Sequence, residues 1–340
     1  MKTLKSPQFW IGIAISILCL WLALRKVQFQ TFSDALQNAN FTWIFAAVLI
    51  QFLAVVTRAV RWSTLLGKPK LFTKAFWSHS VGFLFTNVFP FRMGEPARII
   101  VMSERSGIPV MEVTATAMIE RVLDVAIVVV MLLLVLPFMQ VPDLVINAAK
   151  TFSVIVLIAL AGLWVVVRFR DWSNRLVEKL LGRFKFLPRE TLMARWSELV
   201  DGLELLTHWK TGANAVLWTV LSWAASAGIY YCALKAFVPE SGWIEAVFMV
   251  VSIALAITVP SSPGFIGVYQ YVGQQALVLP FGAKYDMGNA LAITLAAYMV
   301  YYVITTLLGL VGLYQAGQSF SHLWQMVSAK RGKKETEKAE

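Results

Sequence analysis

The chain has 340 residues, of which 58% are hydrophobic and 14% are charged, and its mean hydropathy is +0.68. Soluble globular domains carry about 25% charged residues, so these figures exclude a soluble protein and intrinsic disorder. The net charge of +11 does not indicate nucleic-acid binding, because the basic residues lie between the apolar runs, as in loops that face the cytoplasm and anionic lipid. Both cysteines lie inside apolar runs, which excludes a disulfide scaffold. The composition predicts an integral membrane protein.

Six runs are long and apolar enough for transmembrane helices, which need about 20 apolar residues. They are residues 9–24, 41–66, 110–137, 151–167, 211–238 and 288–314. The first run has the basic start and apolar centre of a signal peptide, but no small-x-small cleavage site precedes Arg25. We therefore predict that it is a retained membrane anchor.

Two further apolar segments contain Pro and Gly breaks. Residues 72–90 lead into the polar stretch 92–106, and residues 243–259 are separated from 265–281 by a PSSPG break. Each is predicted to be a hairpin that enters and leaves on the same side of the membrane. For the second hairpin, a re-entrant loop and two full crossings both fit the pattern.

Most of the 30 Lys and Arg residues fall on the cytoplasmic side if the N-terminus is also cytoplasmic. The sequence thus predicts an all-α polytopic membrane protein of the cell inner membrane, with six transmembrane helices, two Pro/Gly-broken hairpins and both termini in the cytoplasm. It forms one transmembrane domain, 1–320, with halves at about 1–140 and 151–320. Residues 168–211 are an amphipathic cytoplasmic connector, and residues 321–340 are a charged cytoplasmic tail.

The two breaks share a spacing that suggests an internal repeat. Pro90 and Gly94 match Pro260 and Gly264 in a P-x-x-x-G pattern, about half the chain length apart. Each half contains two spans, a broken hairpin and one more span, so the second half would be inverted, as in many secondary transporters. Two such short matches also arise by chance. With or without a repeat, broken backbone at membrane depth must be buried in protein or line a wet cavity.

Charged residues lie in two of the predicted spans. Arg58 and Arg61 are in the second, and Glu120, Arg121 and Asp124 are in the third. Each charge costs about 2.5–3.5 kcal/mol at a membrane helix centre, so these groups are expected to pair or to face a cavity. Their spacing of three or four residues places side chains on one helix face. The alternative is that they anchor the helices at the inner interface.

The first hairpin adds polar groups around its break, and the whole set has more arginines than carboxylates, which favours an anionic ligand such as phosphate. The candidate ligand-binding residues are Arg58, Arg61, Asn87, Arg92, Arg98 and Arg121. Their charge partners or proton-coupling groups are Glu95, Glu120 and Asp124. The broken-helix elements are Pro90, Gly94, Pro260, Pro263, Gly264 and Gly267.

Three motifs carry a family resemblance: NVFPFRMGEPAR at 87–98, ERVLD at 120–124 and PSSPGFIGVY at 260–269. In this order they resemble the membrane region of the lysylphosphatidylglycerol synthase/flippase family, including its stand-alone flippase-like or UPF0104 members. The resemblance covers about residues 10–320. It implies a polytopic fold with re-entrant elements and movement of an aminoacylated phospholipid between leaflets. Because 340 residues leave no room for the family's soluble aminoacyl-transfer domain, we expect no lysyl-lipid synthesis.

Neither a metal nor another cofactor is predicted, because the three histidines are scattered and glycine-rich nucleotide motifs are missing. The predicted function is a lipid translocase that moves an anionic phospholipid or lipid-linked precursor between leaflets, with membrane lipids as partners, no nucleic acid and no catalytic residues. One alternative is a membrane-embedded transferase with Glu95, Glu120 or Asp124 as general base. Another is a membrane scaffold or assembly factor.

Overall fold

The computed structural model describes residues 7–89, 93–138, 168–181, 189–204, 209–258 and 261–317, and scattered positions between 147 and 166. The described residues form twelve α-helices and no strand. The helices are α1 (Pro7–Leu24), α2 (Phe29–Gln37), α3 (Phe41–Leu65), α4 (Phe72–Val88), α5 (Gly94–Ser106), α6 (Val110–Val135), α7 (Arg170–Leu181), α8 (Arg189–Glu204), α9 (Trp209–Phe237), α10 (Trp243–Ala256), α11 (Val268–Phe281) and α12 (Met287–Gln315). Short 3-10 turns lie at Pro69–Leu71, Leu136–Phe138 and Pro263–Phe265.

Four helices are long and apolar enough to cross a membrane. They are α3, α6 with its following 3-10 turn, α9 and α12, which confirm the spans predicted at 41–66, 110–137, 211–238 and 288–314. Residues 12–24 of α1 and the whole of α2 make a fifth if the pair is counted as one span with a bend of 84°. Of the span predicted at 151–167, only scattered positions are described, so this prediction stays untested. The chain is thus a multi-pass α-helical membrane protein.

The first predicted hairpin is the antiparallel pair α4 and α5. Lys74 Nζ donates to the Arg105 carbonyl at 2.6 Å near one end of the pair. Near the other end, a Cβ on Gly94 would lie 2.1 Å from the Gly82 carbonyl oxygen. Glycine at 94 therefore lets the two helices approach through their backbones. Pro90 and Arg92 lie outside the described residues.

The second predicted hairpin is the antiparallel pair α10 and α11. Phe248 and Phe281 place their ring centroids 6.5 Å apart, and Lys284 Nζ lies 2.5 Å from Glu245 Oε1. Each helix has 14 residues, which is about 21 Å, whereas the hydrocarbon core is about 30 Å thick. These lengths favour the re-entrant loop over two full crossings.

Two glycines with positive φ form the break between α10 and α11. After Pro263 starts a 3-10 turn, Gly264 has φ +65° and Gly267 has φ +90°. A Cβ on Gly267 would lie 2.1 Å from the Ser16 carbonyl oxygen of α1. Side chains are therefore excluded there by both conformation and space. Pro260 lies outside the described residues.

The packing of the two halves supports an inverted repeat in which α3, α4, α5 and α6 correspond to α9, α10, α11 and α12. Helix α4 packs against α12, and its counterpart α10 packs against α6. Helix α3 packs against α9 in the opposite direction, because Asn40 N donates to the Ala236 carbonyl while Ser222 meets Thr57 at 3.1 Å. The two breaks also meet: a Cβ on Gly264 would lie 3.3 Å from the Asn87 carbonyl oxygen.

The predicted amphipathic connector, 168–211, contains α7 and α8. An ion pair joins Arg170 to Asp201, and Trp196 Nε1 donates to Asn174 Oδ1 at 2.9 Å. Helix α8 packs against α6, whereas α7 exposes the apolar side chains Trp172, Leu176 and Leu180. An exposed apolar stripe of this kind is typical of a helix that lies on a membrane surface. The predicted tail, 321–340, lies outside the described residues.

Candidate functional site

Glu120 of α6 is the most buried charged side chain of the site, with 0% exposure. Its two carboxylate oxygens accept from two arginines: Arg61 Nε at 3.1 Å and Arg98 Nη1 at 2.6 Å. Both arginines are buried as well, at 2% and 3% exposure. Glu120 thus joins α3 to the first hairpin through α6.

The position of Glu120 along α6 bears on the alternative of interfacial anchoring. Helix α6 begins at Val110, directly after Pro109. At 1.5 Å per residue, Glu120 lies about 15 Å along the helix from that end. The full burial of Glu120 and its pairing with two arginines both favour a buried polar interior over anchoring at the interface.

Asp124, one helical turn further along α6, shares Arg61 with Glu120. Arg61 donates from Nη1 to Asp124 Oδ1 at 2.6 Å and from Nη2 to Oδ2 at 3.4 Å. Trp223 of α9 donates to the same carboxylate at 3.0 Å. Planar guanidinium groups suit this double use, since one group can serve two carboxylates. The cluster therefore also reaches the second half of the chain.

On the other side of Arg98, the cluster continues to a more exposed edge. Arg98 donates to Glu95 Oε2 from Nε at 3.2 Å and from Nη2 at 3.0 Å. Glu95 also forms an ion pair with Arg121. The side chains of Glu95 and Arg121 are 35% and 58% exposed, in contrast to buried Glu120. This edge is the accessible part of the site.

A further contact closes the cluster, because Arg121 Nη1 lies 3.6 Å from Asp124 Oδ2. Positive and negative groups then alternate around a closed circuit, which we call the charge ring. In order, its members are Asp124, Arg61, Glu120, Arg98, Glu95 and Arg121. Three arginines balance three carboxylates, so the ring is neutral. This neutrality offsets the cost of placing six charges inside a membrane protein.

His79 of α4 packs on the buried side of the ring, and the sequence analysis did not select it. Its Nε2 lies 3.7 Å from Glu120 Oε1 and 3.1 Å from Arg98 Nη1. The imidazole of His79 stacks on the Phe83 ring, with centroids 5.8 Å apart, and meets the Trp62 ring edge-on, with centroids 5.0 Å apart. The three histidines of the chain are scattered, so the sequence carries no signal that selects His79.

Arg58 is close to the charge ring but does not belong to it. Within the described part of the chain, it forms no ion pair with a carboxylate. Its Nη2 donates to Ser226 Oγ of α9 at 2.9 Å, and its guanidinium lies 5.9 Å from the Phe83 ring centroid. The side chain is half-buried. Arg58 is therefore a positive charge that the ring does not balance.

Asn87 also lies outside the ring, at the end of α4. Its Nδ2 donates to the hydroxyls of Thr305 and Thr306 of α12, each at 3.0 Å. Its Oδ1 is buried without a partner among the described residues. The structure thus brings together six of the predicted site residues, places Arg58 and Asn87 nearby, and does not describe Arg92.

A tyrosine cluster occupies the second half, which the sequence analysis did not select as a site. The hydroxyls of Tyr230 and Tyr269 lie 2.7 Å apart, on α9 and α11. Tyr298 of α12 donates to the Gly264 carbonyl at 3.0 Å, and its ring centroid lies 5.0 Å from that of Tyr269. All three side chains are buried. We refer to these three residues as the tyrosine cluster.

No group of three or more His, Cys, Asp or Glu side chains is arranged to hold a metal ion in the described ranges. The acidic groups of the ring are each engaged by arginine.

The helices, the two broken hairpins and the charge ring define a multi-pass membrane protein with a polar interior. Residues 9–309 match the family model described as the lysylphosphatidylglycerol synthase TM region, and the chain belongs to this family. It is 22% identical over 336 residues to a UPF0104 membrane protein of Methanothermobacter thermautotrophicus, covering 95% of this chain and 97% of the relative. It is 24% identical over 331 residues to a UPF0104 membrane protein of Pyrococcus horikoshii, covering 88% and 93%.

Proposed function

We propose that the protein moves the anionic head group of a phospholipid or lipid-linked precursor between leaflets, while the acyl chains stay in the bilayer. The observation that carries this proposal is the charge ring, which extends from a fully buried carboxylate to an accessible edge. A hydrophobic packing role would not need six charges at this depth, since apolar residues fill such space at lower cost.

The ring supplies the chemistry that a head group needs on entering a membrane. Arg121 and Glu95 form its exposed edge, so an arriving phosphate can take the place of Glu95 beside Arg121. Arg98 then offers a second guanidinium one step deeper, next to Glu120. Exchange of partners along the ring keeps the phosphate paired with a guanidinium while the head group advances, which lowers the cost of each step.

The inverted packing of the two halves is consistent with this activity, because re-entrant hairpins that meet between inverted halves are a common build of transporters. We place the protein in the cell inner membrane with both termini in the cytoplasm, since most Lys and Arg residues then fall on the inner side. The transport includes no covalent change in the lipid.

Movement of a head group can be measured in liposomes that contain purified protein and a phosphatidylglycerol labelled on its head group or on a short acyl chain. Label in the inner leaflet should become accessible to an external reducing agent. Arg121→Ala should slow this movement about tenfold or more, since one charge-assisted hydrogen bond is lost. Arg175→Ala, on exposed α7, is the matched control and should move lipid at the wild-type rate.

Equal rates for wild type and Arg121→Ala would contradict the role of the charge ring, and no movement by wild type would contradict the translocase. Mass spectrometry of the same liposomes distinguishes the alternative activity. A covalently altered lipid would favour a transferase that uses a ring carboxylate as base.

A further inference from the structure

We propose that Arg58 and Tyr301 form the binding site for the phosphodiester of a phospholipid, between the two halves and beside the charge ring. The inference rests on the proposed function for the source of this ligand, and it adds a substrate class and two named contacts. The starting observation is the charge balance: the ring is neutral without Arg58, so one positive charge is left for a ligand.

The donors of Arg58 are partly unused. Its Nη2 donates to Ser226 Oγ at 2.9 Å, whereas Nε and Nη1 have no hydrogen-bond acceptor among the described residues. Neither nitrogen is fully buried, so these donors are not sealed in the packed interior. Two adjacent guanidinium donors match the two non-bridging oxygens of a phosphodiester.

A second donor comes from the other half of the chain. Tyr301 of α12 places its ring centroid 6.4 Å from that of Phe83, the ring that also lies beside Arg58. The electrostatic neighbours of Arg58 include Tyr301 and Asp124. In the part of the chain that the structure describes, the Tyr301 hydroxyl has no hydrogen-bond partner. Two unused donors from different halves therefore lie around one aromatic side chain.

The surroundings suit a lipid better than a soluble phosphate. The site lies where α3, α4, α9 and α12 meet, and Arg58 is seven residues from the end of α3, about 10 Å along the helix. Phe83 and Tyr301 present aromatic surface beside the guanidinium, against which the glycerol and upper acyl chains can pack. The single positive charge of Arg58 matches the single negative charge of a phosphodiester, whereas a diphosphate would need more than one positive charge.

The inference is tested by native mass spectrometry of the full-length protein in mild detergent, with dioleoylphosphatidylglycerol, dioleoylglycerol and oleate as separate probes. Wild type should bind phosphatidylglycerol about tenfold or more tightly than dioleoylglycerol, and more tightly than oleate. Arg58→Gln should abolish this preference. Arg175→Gln, which makes the same charge change on α7, should retain it.

Tyr301→Phe keeps the aromatic ring and removes only a hydroxyl that has no hydrogen-bond partner among the described residues, so folding should be preserved. It should weaken phosphatidylglycerol binding about fivefold. If Arg58→Gln does not fold, the test of the site uses Tyr301→Phe and Arg58→Lys instead. The Arg58→Lys variant should bind phosphatidylglycerol more weakly than wild type. A full phosphatidylglycerol preference in Arg58→Gln or in Tyr301→Phe, or equal binding of oleate by wild type, would overturn the proposal.

The two proposals fail in different ways. If Arg58→Gln loses lipid binding but wild-type liposomes show no head-group movement, the binding site stands and the translocase does not. If Arg58→Gln keeps the full phosphatidylglycerol preference while wild-type liposomes show head-group movement, the translocase stands and the Arg58 site does not.

Discussion

The two halves of the protein place different chemistry on corresponding helices. Helices α3, α5 and α6 carry the charge ring, whereas their counterparts α9, α11 and α12 carry the tyrosine cluster. Both sets are buried and both join three helices, but one consists of ions and the other of neutral hydroxyls. A repeated backbone arrangement therefore does not require a repeated site, and the charged half is the one suited to an anionic head group.

The difference also predicts how each half responds to mutation. Removing a buried member of the ring, such as Glu120, leaves buried charges without their full set of partners, which is among the most destabilising changes a protein can undergo. Removing one tyrosine hydroxyl leaves a single neutral partner unsatisfied. The largest effects are therefore expected in the charge ring.

Glu120→Gln should give the largest loss of stability, because Arg61 and Arg98 both lose a carboxylate while remaining buried. We expect the free energy of unfolding in detergent to fall by about 3–5 kcal/mol. Glu112→Gln makes the same chemical change in the first turn of α6 and serves as the control. Similar stability of the two variants would show that Glu120 is not a buried ion partner.

Gly94→Ala should give the next largest loss of stability. Its Cβ would lie 2.1 Å from the Gly82 carbonyl oxygen, so the two backbones of the first hairpin would have to separate. The expected loss is about 1–3 kcal/mol. In the second hairpin, a Cβ on Gly273 would lie 2.5 Å from Thr294 Cγ2, which is a side-chain atom and not backbone. Gly273→Ala should therefore be the milder change in the same denaturation assay, and the reverse order would argue against this view of the first hairpin.

Tyr269→Phe should reduce stability by about 0.5–1.5 kcal/mol, because only its hydrogen bond to Tyr230 is lost. Tyr271→Phe, two residues further along α11, is the matched control. A loss as large as that of Glu120→Gln would mean that the tyrosine cluster is no less critical than the charge ring.

Arg121→Ala should have the smallest effect on stability, below about 1 kcal/mol, since exposed ion pairs contribute little. The same variant should nevertheless slow head-group movement in liposomes. Measuring both quantities on one preparation separates transport from folding. A large loss of stability together with unchanged transport would assign Arg121 to the fold alone.

Much of the helical architecture could be predicted from the sequence, because span length and Pro/Gly breaks are local properties. The spans at 41–66 and 288–314 and both hairpins are of this kind. The bend of 84° between α1 and α2 was not predicted, since it depends on the way these helices pack on the second half.

The sequence predicted most of the residues of the site but not which of them pair with one another. The cost of charges at membrane depth selected Arg61, Glu120 and Asp124. The pairing of Glu120 with Arg98, and the separation of Arg58 from the ring, depend on how three helices meet. His79 was passed over because an isolated histidine gives no pattern until α4 and α6 are brought together.

The most direct test of the central claim is the depth of Glu120, measured by electron cryomicroscopy of the protein in lipid nanodiscs. The charge ring predicts that the Glu120 carboxylate lies within about 5 Å of the bilayer midplane, between the guanidinium groups of Arg61 and Arg98. A carboxylate at the level of the lipid head groups, about 15 Å from the midplane and in contact with bulk water, would contradict it.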